Sequence, residues 1–170
     1  MNRKILLTSF QTWLPHQKYN SSDDLLGKIQ QDDSYSASLN FLRQLPVDVS
    51  QASNQAIANI KSLQPDGIIC CGMAEKRDQL TIESNARWED NKIQTSVNLD
   101  NLVAKLSKTA ISHDAGKFVC EGLYYHVLTH LQKTQSPSHC IFVHVPLLTT
   151  ANISDIMKDF NLILQEIGIE

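Results

Sequence analysis

Cys120 closes the run Asp114-Ala115-Gly116-Lys117-Phe118-Val119-Cys120 and opens a segment with helical period, so its thiol stands at a helix N-terminus. Unpaired backbone N–H groups and the positive dipole end favour thiolate over thiol there, which is where a nucleophile belongs. His144, in Ile141-Phe142-Val143-His144-Val145-Pro146, lies near the end of an apolar run, and Glu83 follows another in a polar stretch. Cysteine, histidine and acid form a nucleophilic set when the imidazole takes the thiol proton and the carboxylate fixes the tautomer and steadies the imidazolium. Spacing alone is weak support for such a set, since α/β proteins commonly contain all three residue types.

The elements that must position these residues follow from periodicity. Short apolar runs bounded by turn residues alternate with longer helical patterns, the layout of βα units. Lys4–Thr8 reads as a first buried strand, Ser22–Gln31 as a helix with Leu25, Leu26 and Ile29 inward, and Ser38–Leu45 as a strand stopped by Pro46. Ser50–Leu63 reads as a helix and Ile68–Gly72 as a central strand after the breaker Pro65-Asp66-Gly67. The pattern then predicts a helix over Asn98–Ser107, a short strand at Ala110–Ser112 and a helix over Glu121–Lys133. A final strand follows at Cys140–Val145 and a closing helix at Ile153–Ile167. Glu83–Val97 lacks a clear period and reads as a long irregular loop of the kind that often carries function. In open α/β sheets, residues from separate strands converge beyond the carboxyl ends, which allows His144 and Glu83 to reach the Cys120 turn.

The chain has 170 residues, 42% of them hydrophobic, enough for one domain spanning 1–170 with a proper core. A formal net charge of -3 offers no basic field for phosphate and argues against nucleic acid. Ile5-Leu6-Leu7 is too short an apolar run for a signal peptide or membrane span, and the expected setting is soluble and cytoplasmic, with no membrane partner. Four cysteines without paired C-x-x-C spacing fit reduced thiols, with Cys70 and Cys71 in the core. His126 and His130 stand four apart on a helix, the spacing of a two-histidine metal face, but no third ligand accompanies them and no metal is expected.

The ordered motifs resemble those of the pyroglutamyl peptidase I family of cysteine peptidases, also called pyrrolidone-carboxylate peptidases. Residues 114–120 are similar to its AGxFVCN motif, and Phe142–Pro146 to its F-[IV]-H-[IV]-P motif. Thr81-Ile82-Glu83 with Ala86-Arg87-Trp88-Glu89-Asp90-Asn91 resembles the segment from its triad glutamate to ARIPDN. Leu7–Trp13 resembles LTGFEPF, Gln44–Val47 its LPV and Pro65–Ile69 its PDxVI. The resemblance implies a three-layer α/β/α sandwich around a twisted, mostly parallel sheet, without metal or organic cofactor. It implies hydrolysis of the amide after an N-terminal pyroglutamate through a thioester on Cys120, with His144 as base and Glu83 as its orienting acid. Phe10 and Trp13 inherit the flanks of the lactam ring. Arg87 either sits near the oxyanion or pairs with Glu89 or Asp90 at the surface.

Several positions depart from the family pattern. Ser9 replaces the glycine of LTGF, and Leu14-Pro15 stand where the family has Gly-Gly, so the first pocket loop must be shaped differently. Met73 takes the place of a glutamine expected to contact the lactam, and Glu121 replaces the asparagine after the nucleophile, where its charge would oppose the thiolate. The stretches 83–86 and 91–102 are shorter than in typical members, trimming the pocket wall and a region of subunit contact; a homo-oligomer is left open. Two other readings stay open on these grounds. One is a hydrolase with the same triad acting on another acyl or amide group, and the other a non-catalytic member of the fold that binds a ligand or partner.

Overall fold

The computed structural model describes residues 3–35 and 38–169. Its elements run β1 (Lys4–Phe10), α1 (Ser21–Gln30), β2 (Ser38–Leu45), α2 (Val49–Leu63), β3 (Gly67–Met73), β4 (Thr81–Glu83), β5 (Asn85–Trp88) and β6 (Asn91–Gln94). They continue with α3 (Leu99–Val103), β7 (Ala110–Ser112), α4 (Val119–Lys133), β8 (His139–Val145) and α5 (Ile153–Glu166). Six strands form one sheet in the order β2-β1-β3-β8-β4-β7, and β5 pairs with β6 in a separate hairpin. All pairings in the large sheet are parallel except β4 with β8.

Side-chain alternation along the central strands divides the core in two. Ile5, Leu7, Ile69, Cys71, Ile141 and Val143 face one way and pack with Leu25 and Ile29 of α1, Leu102 of α3 and Phe160 and Ile163 of α5. Leu6, Ile68, Cys70, Cys140 and Phe142 face the other way and meet Ala56 and Ile60 of α2 and Leu123, Tyr124 and Val127 of α4. The result is the expected three-layer sandwich. No helix among the described residues is long and apolar enough to cross a membrane.

Local chemistry sets the helix starts. The Asn20 side chain accepts from Ser22 N at 3.0 Å and the Asp48 side chain from Gln51 N at 2.8 Å, each satisfying a donor that the first helical turn leaves open. By contrast, no side chain caps α4, whose N-cap is Phe118. Its first backbone N–H groups are left for something else.

The structure differs from the sequence expectation in two segments. Glu83–Val97 is ordered rather than irregular: it contains the end of β4 and the β5–β6 hairpin, turned at Glu89 and Asp90 with Glu89 at φ 53°. The hairpin's apolar face is only Ala86, Trp88 and Ile93, too short an alternation to stand out among the exposed Arg87, Glu89, Asp90 and Lys92, and its turn lacks the usual Asn-Gly or Asp-Gly signal. The helix predicted over 98–107 stops at Val103, because Ser107, Lys108 and Thr109 all donate to the buried Asp159 carboxylate and draw the chain out of helical register.

Candidate active site

His144 lies in β8, two residues beyond Phe142, and shares that residue's face of the sheet, the side covered by α4. It is 5% exposed, its ring centroid lies 4.9 Å from that of Phe142, and its Nδ1 donates to Glu83 Oε1 at 2.7 Å. Glu83 belongs to β4, which runs antiparallel to β8 and brings the glutamate alongside from a third strand. It is fully buried, and Tyr124 of α4 donates its hydroxyl to the Glu83 carbonyl at 2.9 Å. Burial pushes the Glu83 carboxyl up, but the hydrogen bond and charge of His144, with the bond from Arg77, outweigh it and hold the carboxyl below its ordinary value. An ionised carboxylate only accepts, so Nδ1 carries the hydrogen and Nε2 is the free base.

Cys120 occupies the first turn of α4 and is half-buried. Its Sγ lies over Gly72: a Cβ built on that glycine would meet Sγ at 2.6 Å and the Phe142 ring at 2.9 Å. Gly72 is the register partner of His144, so the thiol rests in the gap left by the missing side chain, at the register position of His144 and on the face of the sheet that His144 shares. Only glycine allows this approach. The Cys120 thiol is pushed up to about 12, first by burial and then by the negative charge of Glu83, with Arg77 and the helix-end N–H of Cys120 pulling the other way. In the absence of substrate the sulfur is therefore protonated, despite its place at a helix N-terminus.

Glu121 is not the group that opposes the thiolate. Its side chain turns away from Cys120 and accepts the Arg87 backbone N–H at 2.9 Å, and burial raises its own carboxyl above the ordinary range. It lines a cleft of about 550 Å³ beside the start of α4, together with Arg87, Trp88, His113 and Lys117. Arg87 is exposed there, and no ion pair joins it to Glu89 or Asp90 among the described residues.

The remaining expected residues fall in different places. Phe10 is 2% exposed and packed among Leu45, Val119 and the rest of the core, so of the two expected ring-flanking aromatics only Trp13 presents a face to solvent. Trp13, 51% exposed, stacks instead on Phe118, 49% exposed, with centroids 4.8 Å apart. Met73 points to the opposite side of the sheet from Cys120, where its Sδ accepts from Ser21 N at 3.4 Å. The loop carrying Trp13 is tied to the loop after β3 by His16 and Glu75, 3.1 Å apart. Ser9, where the resemblance expects glycine, is fully buried and donates to Asp23 Oδ1 at 2.7 Å while accepting from Gln44 N at 3.1 Å.

Two residues in the site escaped the sequence reading. Phe118 is one; its position two before Cys120 was the available signal. Arg77 is the other, with Nη1 donating to Glu83 Oε1 at 2.6 Å and Nη2 to the Asp114 carbonyl at 2.8 Å. Arg77 lies in the charged run Glu75-Lys76-Arg77-Asp78, and the sequence holds no mark of which charge folds inward. As a whole the arrangement offers a nucleophile, a base with its second nitrogen anchored, and open N–H donors at a helix end, the parts required for acyl transfer.

Comparison with known proteins agrees with this architecture. The pyroglutamyl peptidase family model matches residues 3–167. The pyrrolidone-carboxylate peptidase of Bacillus subtilis is 24% identical over 188 residues, covering 95% of this chain and 86% of the relative. That of Enterococcus faecalis is 30% identical over 137 residues, 65% of this chain and 64% of the relative. Among solved structures, pyroglutamyl peptidase I from Bacillus amyloliquefaciens superposes with a TM-score of 0.84 at 22% identity, covering 100% of this chain and 97% of that one. Pyrrolidone carboxyl peptidase from Thermococcus litoralis gives 0.81 at 18% identity, covering 96% and 92%. The structural likeness shows the fold, and the match across 3–167 shows that the chain belongs to the pyroglutamyl peptidase family.

Proposed function

We propose that the protein is a cysteine exopeptidase that removes N-terminal pyroglutamate from peptides. The observation that carries this function is the thiol of Cys120 seated over Gly72, the register partner of His144, whose imidazole Nδ1 is fixed by a buried carboxylate. Cys120 Sγ attacks the carbonyl carbon of the pyroglutamyl residue while His144 Nε2 takes the thiol proton. With the thiol raised to about 12, proton transfer accompanies attack instead of preceding it. The uncapped N–H groups of α4 hold the oxyanion. His144 then protonates the leaving amine, and the thioester is hydrolysed by a water that His144 deprotonates, releasing pyroglutamate. Trp13 and Phe118 offer exposed aromatic faces suited to a flat, uncharged lactam. Four free thiols fit a reducing, cytoplasmic setting.

A second reading, the same chemistry on a different acyl group, draws on Met73, which is directed to α1 and away from the thiol. Chromogenic amides of pyroglutamate, proline and glutamate separate the two. The proposed function expects release from the pyroglutamyl amide alone, and Trp13→Ala should raise KM about tenfold with a smaller effect on kcat. Equal release from the prolyl amide, or none from the pyroglutamyl amide while Cys120 alkylates, contradicts it.

A further inference from the structure

The proposed mechanism uses Cys120, His144 and Glu83, yet Arg77 stands among them without a part. It lies on the connection from β3 to β4, with its side chain 28% exposed. Its Nη1 donates to Glu83 Oε1 at 2.6 Å and to Thr81 Oγ1, and lies 3.5 Å from His144 Nδ1. Its Nη2 donates at 2.8 Å to the carbonyl of Asp114, which opens the segment leading to Cys120. One carboxylate oxygen of Glu83 thus receives both guanidinium and imidazole, while the other, Oε2, is buried without a hydrogen-bond partner. The carboxylate cannot turn without breaking both bonds. The planar fork of the guanidinium joins the acid on β4 to the loop that carries the nucleophile, a span that a point charge cannot match.

We infer that Arg77 is a positioning residue that fixes Glu83 against His144 and offsets the carboxylate's charge where Cys120 must give up its proton, a role that rests on the function proposed above. The titratable groups around His144 are Glu83 from β4, Cys120 from α4 and Arg77 from the β3–β4 connection. Ser112 on β7 and Tyr124 on α4, which flank Glu83, are neutral near pH 7, and the Asp114 carboxylate is turned to Gly116 N at 2.9 Å. Arg77 is the cation of this cluster among the described residues. Without it the imidazole faces the full charge of Glu83 and keeps its proton to higher pH.

The test compares wild type with Arg77→Gln, Arg77→Met and Arg77→Lys. It reads the pH dependence of kcat/KM on a pyroglutamyl amide and, without substrate, the His144 imidazole titration by NMR. In whichever neutral variant folds, the acidic limb and the imidazole titration should both move up by on the order of one pH unit, with kcat/KM at neutral pH down about tenfold or more. Arg77→Lys should return the limb to its wild-type position and leave kcat reduced, because one ammonium cannot reach both Glu83 and the Asp114 carbonyl. A folded neutral variant with limb and titration unmoved overturns the inference, whatever its loss of stability. If neither neutral variant folds, a wild-type kcat in Arg77→Lys overturns it. An inactive wild type whose imidazole titration still responds to Arg77 removes the proposed function but not the role of Arg77; an active wild type with no response removes only the latter.

Discussion

In the proposed mechanism the part of Glu83 depends on its hydrogen bond to His144. Glu83→Gln keeps the shape of the side chain but supplies a neutral amide that can present either a donor or an acceptor to His144 Nδ1, so neither tautomer nor imidazolium is held. Activity should fall by about 10³–10⁴-fold with the protein still folded, as measured by turnover beside circular dichroism. A loss under tenfold would mean that the carboxylate is only structural. Cys120 makes a second claim at this scale. Its thiol, pushed up to about 12, should react with iodoacetamide more slowly than a model thiol at pH 7 to 8, and the rate should keep rising well beyond pH 9. Fast alkylation near neutrality would contradict the burial and the Glu83 charge that raise it. Cys120, His144 and Glu83, the residues to which the proposed roles fall, were legible because the motifs that hold them are compact. The charges that tune them were not. Glu121, next in sequence to Cys120, faces the neighbouring cleft, whereas Glu83, distant in sequence, sets the thiol's charge environment.

Among the elements, β3 and α4 meet at the thiol. Gly72→Ala places a methyl group 2.6 Å from Cys120 Sγ in the present geometry, so sulfur or strand must move. The expected outcome is a fall in kcat/KM of at least about 10²-fold with a modest loss of stability, read by turnover and thermal unfolding, because a displacement near 1 Å is enough to spoil attack. Wild-type activity in that variant would show that Cys120 is not confined against β3. The strands β1, β3 and β8 were legible as continuous apolar runs, which buried parallel strands require. The β5–β6 hairpin was not, since only Ala86, Trp88 and Ile93 form its apolar face between exposed charged residues. The end of α3 was hidden for a different reason: Asp159, on α5, accepts from Ser107, Lys108 and Thr109, a contact no local pattern announces.

Across the whole molecule, three of the four carboxylates buried among the described residues share one sign, and Glu121 has the other. Burial pushes Asp23, Asp159 and Glu83 up, but hydrogen bonds outweigh it at each and hold all three below their ordinary values. The donors are chiefly Arg43 and Ser9 for Asp23, the Ser107 and Lys108 amides for Asp159, and His144 for Glu83. A carboxyl depressed in the folded state contributes stability that is full above its unfolded value and lost as pH falls through the folded one. With ordinary values of 3.8 for aspartate and 4.5 for glutamate, the thermal midpoint should hold between roughly pH 5.5 and 7.5 and fall steadily below about pH 4.5. Asp159→Asn should lower the midpoint near neutrality and flatten that decline; a wild-type midpoint constant down to pH 3 would contradict the assignment. The layered α/β plan was legible from the alternation of apolar runs and helical periods. The antiparallel insertion of β4 between β8 and β7 was not, although that insertion delivers Glu83 to His144.

The most direct measurement is release of chromophore from a pyroglutamyl amide by wild-type protein and by Cys120→Ser, side by side at equal concentration and near neutral pH. Steady release by wild type, with a fall of at least about 10³-fold in Cys120→Ser, is the expected result. A wild type without release, or a Cys120→Ser variant that turns over like wild type, would contradict the account.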